Sequence, residues 1–152
     1  MSGQTPKLDK NSLFENGTYG IHNADKPITG WKKIFCDCNG FRNRIPFIAQ
    51  LIMPIGATIV TPRGWYKYRT DKAIVKSIIP ADEADNDIKK LGPNYLYQNC
   101  ECYSWINISY RYQVGKIHEP RSPLNKDIRE DCASGIHFFD NRRDAEDFMK
   151  KS

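Results

Sequence analysis

The chain has 152 residues, a length that suits one domain with one hydrophobic core. Apolar residues make up 39% of the chain and aromatic residues 12%, which excludes a wholly disordered protein. The 23 basic residues outnumber the 18 acidic ones, and the resulting net charge of +5 is too small to indicate a nucleic-acid-binding protein by itself. Prolines and a glycine interrupt the longest apolar run, residues 45–60, so the sequence predicts no membrane-spanning helix.

Residues 1–16 are mostly polar and predict a flexible lead-in to a single domain over residues 17–152. This first segment lacks the apolar centre of a signal peptide, so we expect the protein to stay in the compartment where it is made. Such compartments are usually reducing, and the five cysteines are therefore expected to be thiols.

The first predicted hairpin has Asn39 and Gly40 at its turn, because both residues tolerate the positive φ angles of a two-residue type I′ turn. Its strands are predicted over residues 31–38 and 41–48. Such a turn fixes the register of the two strands.

In that register, Cys38 lies opposite Phe41, and Asp37 lies opposite Arg42 as an exposed charge pair. Side chains alternate between the two faces of a strand, so Cys36 and Cys38 are expected to point into the core.

A second hairpin is predicted over residues 57–61 and 65–69, because Pro62 and Gly64 occupy their favoured positions in a type I turn. Residues 72–79 are rich in β-branched side chains and predict a buried strand.

Residues 80–91 predict a short helix, with proline in the first turn, acidic residues early and lysines late. Strand character resumes over residues 95–103 and 105–112, and the prolines of residues 120–123 predict a loop.

The C-terminal part predicts a short strand over residues 135–139 and then a helix capped by Asn141, with Asp144 at its third position. Phe138 and Phe148 are expected to hold this helix on the sheet. The apolar stripe of the helix consists of Ala145, Phe148 and Met149.

Two pairs of cysteines, Cys36 with Cys38 and Cys100 with Cys102, suggest a four-thiolate zinc site. The spacing argues against zinc, because cysteines two apart on a strand do not converge as they do in the usual metal-binding turns. Small buried thiols on adjacent strands are the favoured interpretation, and cross-strand disulfides are the minor one.

Cys132 and His137 lie five residues apart and suggest a thiol nucleophile with an imidazole base. No acidic or amide partner for the imidazole stands out in the sequence, so the structural interpretation is favoured. In that interpretation Cys132 is a buried thiol, Gly135 permits a turn, and His137, Phe138 and Phe139 belong to a strand.

A candidate binding surface combines basic side chains, which neutralise phosphates, with aromatic rings, which stack on bases. An ordinary solvated sheet face is the competing interpretation. The candidate residues are Arg42, Arg44, Arg63, Trp65, Lys67, Arg69, Lys72 and Lys76.

Three segments resemble an uncharacterised small domain of giant DNA viruses, the nucleocytoplasmic large DNA viruses. They are Tyr68–Val75, Tyr112–Ile117 and Cys132–Phe139, the last of which continues into residues 142–148 and is the most specific. In that family the domain often follows pentapeptide-type repeats, which this chain lacks. The resemblance implies a viral protein that acts in the host cytoplasm, in the viral factory or in the virion, and it supplies no catalytic residues.

A local resemblance concerns the segment of ADP-ribosyl transferases that helps to hold NAD, which is similar to the strand at Gly135 and the helix with Phe148. Those enzymes typically have tyrosine where this chain has His137. Glu146 lies within the predicted helix, where their catalytic glutamate does not occur.

The sequence thus predicts an α+β domain with a twisted, mainly antiparallel sheet of roughly six to eight strands, partly closed, and two short helices. The leading functional hypothesis is a non-enzymatic interaction module without metal or cofactor, whose partners are viral or host proteins. A nucleic-acid-associated basic protein is the first alternative, and an NAD-using transferase is the second. Self-association is a further expectation.

Overall fold

The computed structural model describes residues 20–62, 67–92, 100–104, 110–130 and 133–148. These parts contain ten β-strands and two α-helices, which confirms the predicted α+β class. The strands are β1 (Gly20–Asn23), β2 (Ile28–Cys38), β3 (Ile45–Met53), β4 (Thr58–Thr61), β5 (Tyr68–Thr70), β6 (Ala73–Pro80), β7 (Cys100–Tyr103), β8 (Arg111–Tyr112), β9 (Ile117–His118) and β10 (Ile136–Phe138). The helices are α1 (Asp85–Leu91), which follows a 3₁₀ turn (Asp82–Ala84), and α2 (Arg142–Asp147).

The strands form two sheets in which the described pairings are antiparallel. The smaller sheet has the order β1-β4-β5-β10, and the larger one has the order β8-β7-β2-β3-β6-β9. The described strands therefore exceed the predicted six to eight, and they divide between two sheets. The short strands β1 and β9 gave no hydrophobic alternation from which they could be predicted.

One edge of β2 joins the two sheets. The C-terminal half of that edge pairs with β7 over residues 35–38, whereas Trp31 exchanges two backbone hydrogen bonds of 2.8 and 2.9 Å with Phe139, just after β10. Between these two pairings lie Lys32, Lys33 and Ile34. In the described part of the chain, the sheet therefore has a gap on this edge, between β7 and β10.

Because side chains alternate between the two faces of β2, this strand contributes to two apolar clusters. Ile34 and Cys36 lie in the main core, where Phe138 packs at a ring distance of 5.6 Å from Tyr68. On the opposite face, Trp31 belongs to a smaller cluster that contains Ile48, Ala81, Phe139 and Ala145. The main core thus lies on the face of β2 away from α2.

Helix α2 packs on the smaller cluster, as the sequence predicts, but through a different phenylalanine. The ring of Phe148 lies 5.5 Å from that of Phe139, not against Phe138. Because successive strand residues point to opposite faces, Phe138 faces the main core and Phe139 faces the helix. The expected contact between Phe138 and Phe148 is therefore wrong.

The first hairpin has the predicted turn but a different register. Asn39 and Gly40 have φ angles of 58° and 79°, and the N–H of Phe41 donates to the carbonyl of Cys38. Regular pairing, however, resumes with Cys36 opposite Ile45, so strand β3 begins four residues later than predicted. The register is displaced by two residues, which leaves the inward-facing side chains on the same face.

The side chain of Asn43 explains this displacement. Its carboxamide accepts from the N–H of Cys38 at 2.8 Å and donates to the carbonyl of Cys38 at 3.1 Å. The side chain of Asn43 thus bonds to the backbone of Cys38 in place of the backbone of Asn43. Asp37 accepts from the N–H of Arg44 and from the hydroxyl of Tyr103, so the expected Asp37–Arg42 pair is wrong.

Several other predicted elements are confirmed. Strand β6 ends at Pro80, and α1 ends at Leu91 before Gly92, whose φ is 68°. Strands β4 and β5 pair as a hairpin, but Val60 lies opposite Arg69, a register that differs from that of the predicted four-residue turn over residues 61–64. The Asn141 side chain accepts from the N–H of Asp144 and caps α2. Within the described parts of the chain, neither helix has the length and hydropathy needed to cross a bilayer.

Some predictions fall on residues that the structure does not describe. They are the lead-in of residues 1–16, the second turn at residues 63–64, the strand residues 65–66, 95–99 and 105–109, Cys132 and Met149.

The cysteine pairs correct a prediction. Cys36 lies opposite Cys102, Cys38 lies opposite Cys100, and both pairs form disulfide bonds. The expectation that these four residues are free thiols is therefore wrong. The physical reason is the antiparallel register of β2 and β7, which places the two cysteines of each strand directly against those of the other.

Gly30 marks the closest approach of β2 to the aromatic core. A Cβ atom at this position would lie 2.5 Å from Cδ2 of Phe138 and 2.9 Å from Cε of Met53. We therefore expect Gly30→Ala to lower the free energy of unfolding by about 1–3 kcal/mol, because the core must move to admit one methyl group. Urea unfolding measures this change, and an unchanged stability would contradict it. The exposed neighbour Thr29 provides the matched control Thr29→Ala.

Candidate functional site

The gap between β7 and β10 opens into a cavity of about 400 Å³. Lys32 and Lys33 of β2 line it on one side, and residues 133–137 line it on another. Residues 120–122, Phe139, Phe148 and the region of β8 complete the described wall. The cavity thus lies beside the histidine-containing segment that the sequence singled out.

Lys32 is a cation on the core-facing side of a strand. Strand alternation puts it on the same face as the buried Ile34 and Cys36. Its ammonium group donates to the carbonyl oxygen of His137 at 3.0 Å. Burial, with a smaller contribution from the charge of Lys67, lowers the pKa of Lys32 to about 7.

Two further cations share the cavity with Lys32. Lys67 lines it next to β5, and its ammonium group lies 4.7 Å from the ring centre of Phe148. Arg121 is exposed and lines the cavity from the loop of residues 120–122. None of the described residues that line the cavity is acidic. The described lining therefore contributes more basic than acidic side chains.

Lys33 differs from Lys32 in its surroundings. Its side chain points to the opposite face of β2, where it forms a buried ion pair with Glu83 and donates to the carbonyl of Glu146 at 2.7 Å. Since alternate strand residues direct their N–H and C=O groups to the same edge, the backbone of Lys33 faces the gap as the backbone of Trp31 faces Phe139. Lys33 therefore brings main-chain polar groups to the cavity, while its own charge is neutralised elsewhere.

An aromatic group lies on the β8 side of the cavity. The rings of Tyr110 and Tyr112 are 5.1 Å apart, and His118 lies 5.1 Å from Tyr112. Burial raises the pKa of both tyrosines, and the hydroxyl of Tyr110 donates to the carbonyl of Glu119. These phenols stay protonated at neutral pH and give the wall an apolar surface with polar tips.

His137 is neutral in this structure. Its Nε2 lies against the carbonyl of Ala133, which can only accept, so Nε2 carries the proton and Nδ1 is an acceptor. Nδ1 is buried and has no hydrogen-bond partner among the described residues. Burial first, and then the positive charge of Lys32, lower the pKa of His137 to about 3.

This lowered pKa predicts a pH dependence of stability. His137 stays neutral in the fold, whereas the unfolded chain takes up a proton below the ordinary histidine pKa of 6.5. Its contribution is therefore complete above pH 6.5 and is lost as the pH falls towards 3. We expect His137→Gln to lose less stability over that range than the parent protein in urea unfolding. Parallel losses would contradict this, because the carboxylates titrate in both proteins.

The other motif residues have structural surroundings. Gly135 has a φ of 145°, and a Cβ atom there would lie 2.7 Å from the side chain of Leu124. Phe138 and Phe139 belong to the two apolar clusters. Cys132 lies outside the described residues, so the expectation that it is a buried thiol stays a prediction.

The predicted basic surface is dispersed in the described parts of the chain. Arg42 and Arg44 lie at the first hairpin, where Arg44 stacks 4.9 Å from the ring centre of Phe35. Lys72 and Lys76 belong to the segment of β6, in the same sheet as that hairpin, while Lys67 and Arg69 belong to the region of β5, in the other sheet. Arg63 and Trp65 lie outside the described residues.

The structure corrects the role predicted for Arg69, which was expected to belong to the basic binding surface. Its side chain is completely buried and donates to the carbonyls of Asn125, Asp127 and Glu130 at 2.6–2.7 Å. A guanidinium enclosed in this way is not available to a phosphate backbone. Among the candidate surface residues, Arg69 is thus a structural group that holds the loop over residues 125–130.

Glu146, the acidic residue considered for transferase chemistry, is also engaged. One carboxylate oxygen accepts from the N–H of Asp82, and the other accepts from Arg142, each at 3.0 Å. These contacts connect α2 to the 3₁₀ turn. Glu146 thus helps to hold α2 against the 3₁₀ turn.

The sequence interpretation missed Lys32 and Arg121. A signal for Lys32 exists, because it interrupts the inward-facing series Ile28, Gly30, Ile34 and Cys36 with a charge. Arg121 carried no comparable signal, since a basic residue in a proline-rich loop is ordinary.

Comparisons with known proteins found a family and two related viral proteins. A model described as a family of unknown function, DUF5758, matches residues 10–145. Uncharacterized protein L223 of Acanthamoeba polyphaga mimivirus is 32% identical over 93% of this chain and 96% of its own length. Uncharacterized protein L796 of the same virus is 34% identical over 55% of this chain and 58% of its own. No solved structure matches.

Proposed function

Because the chain belongs to the family of unknown function DUF5758, which has relatives in a giant virus, we propose that it is a viral, non-enzymatic interaction module. It acts in the infected cell, in the host cytoplasm or viral factory, or in the virion. Its partner is a viral or host protein that enters the cavity between β7 and β10.

The observation that carries this proposal is the gap in pairing along β2. A continuous sheet would place a strand beside Lys32 and Lys33, but among the described residues β7 and β10 pair on either side of them and leave a cavity of about 400 Å³. Concave sites with mixed apolar and polar walls are where proteins bind ligands. The aromatic residues around Tyr110 and Phe148 provide the apolar part.

The surroundings of the cavity favour binding over catalysis. His137 is neutral and donates to a backbone carbonyl, and the described lining contains no carboxylate to act as an acid or base. Lys32 is held by the carbonyl of His137. The donors at this site are suited to recognition of a ligand.

An obstruction of the cavity tests the proposal. Ser122 is exposed and lines the cavity, so Ser122→Trp is expected to fill its entrance, whereas Lys76→Trp places the same ring on the exposed side of β6. Affinity purification from infected cells identifies proteins retained by the parent chain and by Lys76→Trp but lost with Ser122→Trp. Titration calorimetry with the purified candidate then measures binding directly.

The expected result is at least a tenfold weaker affinity for Ser122→Trp and an unchanged affinity for Lys76→Trp. Equal binding by all three proteins would exclude the cavity as the interaction site. Retention that disappears after nuclease treatment and weakens steeply with salt would instead support the nucleic-acid alternative.

A further inference from the structure

We propose that Ser122 is a phosphorylation site for a proline-directed serine/threonine protein kinase, and that its phosphate closes the entrance of the cavity to the partner protein. This inference rests on the proposed interaction function and adds a means of regulating it. Ser122 belongs to the loop of residues 120–122, which forms part of the cavity wall.

The sequence around Ser122 carries the kinase specificity. A proline, Pro123, directly follows this hydroxyl-bearing residue, and a second one, Pro120, lies two positions before it. Proline has no backbone N–H, so a kinase cleft without an acceptor at this position disfavours all other residues, whose N–H would be left unsatisfied. Proline also keeps the residue before it out of the helical region, which favours the extended backbone that a kinase cleft binds.

Contacts on both sides of Ser122 present it at the surface. The hydroxyl of Tyr110 donates to the carbonyl of Glu119, and the hydroxyl of Ser134 donates to the carbonyl of Pro123. Ser122 itself is exposed, and its hydroxyl has no hydrogen bond to any residue in the described ranges. A kinase therefore meets a free hydroxyl on a surface loop whose two ends are held.

Thr61 provides a comparison within the same chain. It also precedes a proline, but it is completely buried in β4, and its hydroxyl donates to the carbonyl of Gly20 at 3.2 Å. A kinase reaches this hydroxyl only after the smaller sheet opens. The remaining threonine before a proline, Thr5, lies outside the described residues and is a control in the experiment. Among the described residues, Ser122 is the accessible member of this class.

The modification is a phosphoryl transfer from ATP. A bond forms between Oγ of Ser122 and the γ-phosphorus, and the bond from that phosphorus to the bridging oxygen breaks. ADP leaves with the electron pair of the broken bond. The proton of the hydroxyl passes to the catalytic aspartate of the kinase.

The position of Ser122 gives the phosphate its effect. Ser122 and the exposed Arg121 line the cavity together, and the described lining contains basic but no acidic side chains. Phosphoserine carries nearly two negative charges at neutral pH and three acceptor oxygens, so it is attracted to these basic groups. The added group then occupies space that an entering partner needs.

Phosphorylation of the purified chain tests the site. The chain is incubated with ATP and a purified mitogen-activated protein kinase, and mass spectrometry counts and locates the phosphoryl groups. We expect Ser122 to be phosphorylated in the parent and in Thr5→Ala, and to stay unmodified when the kinase lacks its proline in Pro123→Ala. In Ser122→Ala the group should be absent from the loop. A folded parent without phosphate on Ser122, or modification of Pro123→Ala at the parent rate, would overturn the proposal.

Chemical labelling tests the closure without a partner. Acetic anhydride acetylates the lysine side chains that it reaches, and mass spectrometry measures the rate at each one. After phosphorylation, we expect Lys32, inside the cavity, to be acetylated about threefold more slowly. The rate at Lys76, on the exposed side of β6, should stay the same. An unchanged rate at Lys32 would mean that the phosphate leaves the cavity open, which contradicts the closure.

Binding of the partner separates this inference from the proposed function. The phosphorylated chain should bind the partner that Ser122→Trp loses about tenfold more weakly, and phosphatase treatment should restore the affinity. Treatment of Ser122→Ala with kinase and ATP should leave its affinity unchanged. Equal or tighter binding by the phosphorylated chain leaves the interaction function intact and overturns the closure. If no protein depends on the cavity, the interaction function fails, and the regulatory role fails with it even where Ser122 is phosphorylated.

Discussion

Replacing Arg69 with methionine is expected to lower the free energy of unfolding by about 4 kcal/mol. Arg69 is completely buried, and its guanidinium donates one hydrogen bond each to the carbonyls of Asn125, Asp127 and Glu130. Hydrogen bonds from a charged donor are stronger than neutral ones, and the substitution leaves three carbonyls without this donor. Urea unfolding followed by tryptophan fluorescence measures the loss.

The loop should respond to the same substitution. Residues 125–130 contain few apolar anchors, and Arg69 connects three of their carbonyls to β5. We therefore expect faster amide hydrogen exchange over residues 123–130 in Arg69→Met, with little change in β3. Accelerated exchange in β3 to the same degree would show global unfolding in place of local release.

Two controls define the cause. Arg69→Lys keeps the charge but offers a single ammonium group, which cannot reach three carbonyls in the geometry of a planar guanidinium, so most of the loss should remain. Lys76→Met removes an exposed cation from β6 and should change stability by less than about 0.5 kcal/mol. Full stability in Arg69→Lys would mean that charge alone, and not the three bonds, supports the loop.

Arg69 also shows why part of this molecule could not be predicted. In the sequence it stands among Lys67, Tyr68 and Lys72, a pattern typical of an exposed strand. Its burial depends on Gly135, about 65 residues later, where a Cβ atom would lie 3.0 Å from Cβ of Arg69. Such a long-range contact leaves no periodic signal near either residue.

The elements that were predicted correctly have local causes. The cap of α2 needs Asn141 and Asp144 three residues apart, and the first turn needs the positive φ angles that Asn39 and Gly40 tolerate. The register after that turn was predicted wrongly because it depends on the Asn43 side chain, which bonds to the backbone of Cys38. Local backbone preferences can therefore be derived from the sequence. A hydrogen bond in which a side chain takes the place of a backbone group, as Asn43 does here, cannot.

The candidate site was predictable only in part. His137 was singled out from the sequence and lines the cavity, but the cations that give the site its charge come from three distant segments. Lys32, Lys67 and Arg121 are brought together by the gap between β7 and β10, and that gap follows from tertiary pairing along β2. A motif search examines one segment at a time and does not register such a convergence.

Removing both disulfide bonds is expected to lower the free energy of unfolding by about 4 kcal/mol, chiefly through the entropy of the unfolded chain. The bonds Cys36–Cys102 and Cys38–Cys100 join residues 66 and 62 positions apart. Each closes almost the same loop, so one bond alone restricts the unfolded chain nearly as much as two. Their contributions should therefore be far from additive.

Three variants test this reasoning in urea unfolding without reductant: one with Cys38 and Cys100 changed to alanine, one with Cys36 and Cys102 changed, and one with all four changed. Each variant that retains one bond should lose about 1 kcal/mol, from packing of the buried sulfurs, whereas the fourfold variant should lose several times more. In excess reductant the differences among the four proteins should shrink to the packing contribution.

The unfolded parent should expose one reactive thiol before reduction and five after it, since Cys132 is the fifth cysteine. Five reactive thiols before reduction would show that the two disulfide bonds are absent. An equal decrease in the free energy of unfolding for the loss of one bond and of both would contradict the argument that the two bonds close the same loop.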